Sequence, residues 1–220
     1  MNQTKNNRWI VLDQAHDALR SVVAGVAAQD WNLPSPCERW TLTQVLQHAA
    51  GDQRGFASTI TGEDGPTEDP FAPSGIFDGD PVAIAASAME VASAAWARYD
   101  DETAIAPSPI PPGSMTVLLG VGACALDAAV HAWDIAVGSG QPSPLSVRLA
   151  QALMPVATSI VEPLRAYGAY APALAPEPGD DEVSALLRYL GRRPDWTPAP
   201  AATDASTATT NDTTARGYIS

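Results

Sequence analysis

Residues 114–140, SMTVLLGVGACALDAAVHAWDIAVGSG, constrain the fold of this chain more than any other stretch. The run is long and apolar enough for one buried helix, yet it carries charges where a core helix should have none. Alternate steps of three and four residues give a stripe of Leu119, Ala123, Leu126, Val130, Trp133 and Val137, the apolar face of an amphipathic helix. A neighbouring stripe holds Gly120, Cys124, Asp127, His131, Asp134 and Gly138. Asp127 and His131 are four apart, so they project side by side with about 5–6 Å between Cβ atoms. A carboxylate and an imidazole so placed make half of a divalent-metal site.

At 220 residues the chain can build a sizeable core without disulfides. Its two cysteines, Cys37 and Cys124, sit in apolar surroundings and read as reduced thiols of a cytoplasmic protein. The N-terminus lacks the basic and apolar regions of a signal peptide, and no membrane span is expected. A net charge of -13 argues against nucleic acid or an anionic membrane as partner.

Helical spacing predicts a first helix over residues 8–28, with His16 on its apolar face. A Pro-containing connection, DWNLPSPCERW, follows. Thr41 and Gln44 then form a capping box for a second helix to about Ile60, with His48 on its inward arc, Asp52 one turn on and Arg54 further round. Residues 61–81, rich in Gly, Pro and Asp, are expected to form a long loop and a candidate lid. A third helix is predicted over 82–99, and APSPIPPG (106–113) cannot be helical. After the central helix come a fifth over 145–170, interrupted by Pro155 and Pro163, and a short sixth over 180–190. Strand-like alternation is absent, which predicts an all-α class. Residues 197–220, rich in Thr and Ala, are expected to be a disordered tail after a single domain over 1–196.

All three histidines, His16, His48 and His131, fall on or beside inward helix faces. Each alone reads as a core histidine, but His48, Asp127 and His131 together match a two-histidine, one-carboxylate donor set with coordination positions left for water or substrate. His16 could be a fourth ligand or a partner that supports one, with a core position the favoured reading. Asp52 could orient His48 or replace Asp127, and Asp134 could likewise support a ligand from behind or simply bond near the turn after the helix. Cys37 and Cys124 read as structural. Arg54 is the candidate catalytic cation, able to hold a substrate carboxylate bidentately, against the alternative of a solvated helix edge. No phosphate loop or nucleophile elbow is present.

The segments LPSPCERWTLTQVLQHAAGD, VHAWDIAVGSGQP and LLRYLGRRPDW together resemble the actinobacterial branch of the DinB-like superfamily that includes mycothiol-dependent maleylpyruvate isomerase. The resemblance spans about residues 9–196 in order. It implies a DinB-like four-helix bundle with a long crossover and an extra short C-terminal helix. It also implies a divalent metal, Zn by default with Ni, Co, Mn or Fe as alternatives, on His48, Asp127 and His131. Asp127 stands where the family usually has Glu, a reach shorter by roughly 1.3 Å. Mycothiol is the implied cosubstrate, and S-transfer to, or isomerisation of, a small electrophile the implied reaction. The competing expectations are a non-catalytic small-ligand-binding bundle and a thiol-independent metalloenzyme on the same scaffold. A homodimer through a flat helix face is a further expectation.

Overall fold

The computed structural model describes residues 9–37 and 40–198. It contains six helices: α1 (Ile10–Gly25), α2 (Leu42–Thr61), α3 (Pro81–Trp96), α4 (Val117–Gly138), α5 (Val147–Arg165) and α6 (Glu182–Tyr189). Helices α1 to α4 pack on one another as an all-α, DinB-like bundle. α5 lies against α4 and α1, and α6 against α5.

Local chemistry sets the helix starts. The Thr41 hydroxyl accepts from the Gln44 amide while the Gln44 side chain accepts from the Thr41 amide, the predicted capping box. Asp80, Thr116, Ser146 and Asp181 cap α3, α4, α5 and α6 in the same manner, each accepting from a backbone amide three residues on. Pro81 at the first position of α3 loses no helical hydrogen bond, because that N–H would be unpaired in any case.

The centre of the bundle is α4, and it is buried nearly all round. The stripe expected to face the core is not the more buried one. Leu119 and Val137 are only partly covered, whereas Cys124, Asp127, His131 and Asp134 are buried. The helix is long and apolar enough to cross a bilayer, but 89% of that window is covered by the protein itself. Close approach depends on glycine: a Cβ at Gly120 would lie 2.4 Å from the Trp96 ring of α3, and one at Gly122 would lie 2.6 Å from Val156 of α5. Each fully buried aliphatic side chain along α4, such as Leu126, contributes about 1.5–3 kcal/mol.

Two local expectations are corrected. Residues Ile105–Pro107 (β1) and Ser114–Thr116 (β2) pair antiparallel, with Ala106 opposite Met115. Three-residue strands are too short to show a period of two, and Pro107, which has no N–H, lies at the end of the pairing. The central helix accordingly begins at Val117 rather than Ser114. In α5 the chain runs through both prolines without interruption. Pro155 is exposed, so the carbonyl it leaves unpaired one turn back can meet water. That helix ends at Arg165, and the left-handed Gly168 turns the chain before Tyr170. The tail expected over 197–220 lies, beyond residue 198, outside the described residues.

Candidate metal centre

His48 and Asp52 come from α2, and Asp127, His131 and Asp134 from α4. Position alternation along a helix places residues four apart on one face, so the two helices present their polar stripes to each other. The His48 Nε2 lies 3.7 Å from Asp127 Oδ1, and the His131 Nε2 lies 3.3 Å from the same oxygen. The two imidazoles meet edge to face with centroids 4.8 Å apart.

Each ring is held by its other nitrogen. The carbonyl of Pro70 can only accept, so His48 Nδ1, 2.9 Å away, donates to it and Nε2 carries the lone pair. His131 Nδ1 donates to Asp134 Oδ2 over 2.9 Å. Both Nε2 atoms therefore turn towards Asp127, whose Oδ2 is buried without a hydrogen-bond partner. Separations of 3.3 and 3.7 Å are long for hydrogen bonds. They match the edge of about 3.4 Å between donors around one ion with bonds of about 2.1 Å. On spacing, tautomer and the orphaned oxygen, the residues fit a divalent cation.

Charges around the cluster reinforce one another. Burial and the facing His131 push His48 down to about 4. Burial also opposes charge on His131, but Asp127 and Asp134 outweigh it and raise its pKa well above the ordinary value. Desolvation, then the Asp127 charge, raise Asp52. Asp134 is fully buried. Desolvation would raise it, yet the Arg192 guanidinium and the His131 hydrogen bond hold it well below the usual carboxylate range. Arg192 donates to both Asp134 oxygens over 2.9 and 2.8 Å, and the Cys37 thiol donates to Oδ2 over 3.1 Å. Burial and Asp127 push the Tyr170 hydroxyl, half-buried nearby, up to about 12.

The expected lid covers the cluster. Residues 62–80 form an irregular loop whose Pro70 ring packs on the bare face of α2 at Gly51, where a Cβ would lie 2.8 Å from it. Gln47 holds that loop, donating to Ser74 Oγ and the Ile76 carbonyl and accepting from the Gly75 amide. Gln44 donates to the Pro73 carbonyl. Phe71 and Trp40 flank the His48 ring, with centroids 5.6 and 5.0 Å away.

The structure brings His48, Asp127 and His131 together but keeps two other candidates apart from them. Arg54 donates to Ser87 Oγ of α3 and lines a cavity of about 330 Å³ beneath the loop, with Gln47, Gly51 and Pro70. His16 belongs to a separate buried network with Gln53, Ser93 and Cys124. Arg192, which the sequence does not single out, also reaches the cluster. It lies in the GRR run after α6, where nothing local tells which arginine turns inwards.

The family model for the mycothiol maleylpyruvate isomerase N-terminal domain matches residues 12–136. Two relatives from Mycobacterium tuberculosis, named Uncharacterized protein Rv0738 (strain H37Rv) and Uncharacterized protein MT0763 (strain CDC 1551 / Oshkosh), are each 28% identical over 150 residues. The alignments cover 68% of this chain and 77% of each relative. No solved structure matches the chain. The family match takes in α2, the lid and α4 as far as Ala136, and so includes His48, Asp52, Asp127, His131 and Asp134 but not Arg192. On that extent the chain belongs to the mycothiol maleylpyruvate isomerase N-terminal domain family.

Proposed function

We propose that the protein is a divalent-metal-dependent enzyme that uses a low-molecular-weight thiol, mycothiol, for S-transfer to, or isomerisation of, a small electrophile. The observation that carries this reading is the convergence of two Nε2 atoms and one carboxylate oxygen, each ring fixed from behind. His48, Asp127 and His131 would hold the ion. When bound, such an ion acidifies a thiol, so that a thiolate nucleophile is present at neutral pH.

The remaining work falls to side chains of the chain itself. Asp134, anchored by Arg192, keeps the His131 proton on Nδ1. Pro70 does the same for His48, so both tautomers are set before any ligand arrives. The lid residues Pro70 and Phe71, with Trp40, exclude water from the cluster. Arg54, in the adjoining cavity, is the cation proposed to hold an anionic substrate. A reducing compartment, the cytoplasm, suits both the cosubstrate and the free thiols Cys37 and Cys124.

Elemental analysis of protein purified without a His tag or chelator tests the reading. About one equivalent of transition metal, lost in His131→Ala while the helical content is kept, is the expected result; unchanged metal in the variant refutes the site. Turnover of maleylpyruvate or a bimane electrophile should require mycothiol, and equal rates with and without it refute the thiol chemistry.

A second reading, small-ligand binding without catalysis, is favoured by one observation. A cavity of about 560 Å³ lined by Val23, Trp31, Thr43, Phe77 and Val82 is not lined by His48, Asp127 or His131. An inert protein that binds apolar ligands in that cavity would support it.

A further inference from the structure

We infer that Asp52 is a second carboxylate ligand, so that the ion is held by two imidazoles and two carboxylates rather than by His48, Asp127 and His131 alone. The inference rests on the metal reading proposed above and deepens it. Asp52 lies one turn after His48 on the same face of α2, and its Oδ2 is 3.7 Å from His48 Nε2, the same separation that Asp127 Oδ1 keeps from that atom. Because His48 Nδ1 is committed to the Pro70 carbonyl, its Nε2 is a lone pair facing two carboxylates. A lone pair and two carboxylate oxygens gathered this closely call for positive charge among them, which a bound cation would supply.

Charge balance leads to the same residue. Asp134 is matched by Arg192, which donates to both its oxygens. Among the described residues no lysine or arginine pairs with Asp52 or Asp127; their ion-pair partners are the histidines. Neither carboxylate has a fixed cation beside it, and the Oδ2 of Asp127 is buried without a hydrogen-bond partner, an arrangement that a divalent cation between them would satisfy. Asp52 keeps a side-chain exposure of 26% against 11% for Asp127, so it stands on the side from which solvent reaches the cluster. Two nitrogens and two carboxylate oxygens make a harder site, suited to Co²⁺, Fe²⁺ or Mn²⁺ as well as Zn²⁺.

The test is a titration of chelator-stripped full-length protein with Co²⁺, read by its visible spectrum and by equilibrium dialysis, for the parent, Asp52→Asn and Asp134→Asn. Removing an outer-shell partner costs 10–100-fold in metal affinity. Asp52→Asn should cost more than about 100-fold and change the ligand-field bands, whereas Asp134→Asn should fall within the outer-shell range and leave their pattern unchanged. One equivalent of Co²⁺ in the parent, with Asp52→Asn binding within 100-fold or with an unaltered spectrum, overturns this inference and leaves the three-residue site intact. A parent that takes up no Co²⁺ overturns both. Circular dichroism confirms the fold of each variant, and Asp52→Ser, tolerable at a partly exposed helical position, carries the same test if the asparagine variant does not fold.

Discussion

Replacing Arg192 with leucine would leave the carboxylate of Asp134, which is 0% exposed, without its cation. The guanidinium makes two hydrogen bonds of 2.9 and 2.8 Å to that carboxylate and is itself only 11% exposed, so solvent screening does little to weaken the pair. Breaking a buried pair from one side costs about 3–5 kcal/mol. Asp134 keeps donors in His131 Nδ1–H and the Cys37 thiol, which places the expected cost near the lower end, about 3 kcal/mol. With a urea m-value of about 2 kcal/mol/M, the unfolding midpoint should fall by about 1.5 M. The double variant Arg192→Leu with Asp134→Asn removes the stranded charge and should recover at least half of the loss. Urea unfolding followed by circular dichroism at pH 7.5 measures both. A single variant within about 1 kcal/mol of the parent, or a double variant no more stable than the single, would refute the claim that the stranded charge is what costs stability.

Gly120→Val should destabilise the protein by about 1–3 kcal/mol through overpacking against Trp96, seen as a lowered thermal midpoint; an unchanged midpoint would show that α3 and α4 can part freely. Gln47→Ala removes the hydrogen bonds that pin the loop, and at about 1 kcal/mol each the Gly75 amide should exchange with deuterium at least about fivefold faster, with α4 amides unaffected. His16 is buried and neutral: Gln53 Oε1 accepts from its Nε2 over 2.8 Å, and Nδ1 accepts from Ser93. Burial lowers its pKa from 6.5, so the unfolded chain takes up the proton first. Its contribution to stability is complete above that value and is lost as pH falls below it. A His16→Gln variant should show a flatter fall in unfolding free energy between pH 7 and 5 than the parent, and parallel curves would contradict the assignment.

The parts of the fold that were legible in the sequence are those governed by local rules. Thr41 and Gln44 announce the start of α2 because a capping box is complete within four residues, and the loop after Thr61 shows in its Gly, Pro and Asp content. The Asp127 and His131 pair is legible because helical spacing alone brings the two together. What sequence leaves open depends on which side of a helix finds a neighbour. In α4 nearly every face is covered, so apolar stripe and polar stripe are buried alike, and periodicity cannot rank them. The β1 and β2 pairing rests on contacts between two three-residue segments with no pattern of their own. Pro155 breaks the expected helix only if its side faces the core, and it faces solvent. Arg192 is invisible for the same kind of reason: its role is fixed by Asp134, 58 residues earlier in the chain.

Cys37 and Arg192, separated by 155 residues, close on the same carboxylate of α4. During synthesis the donors of α2 and α4 therefore leave the ribosome well before the guanidinium that steadies one of them. A nascent chain stopped after α4 would expose Asp134 without its counterion and let the His131 ring turn. If the cluster holds an ion as proposed, its geometry is complete only once the turn after α6 is in place, so the C-terminal segment beyond the family-matched residues is the clasp of the cluster.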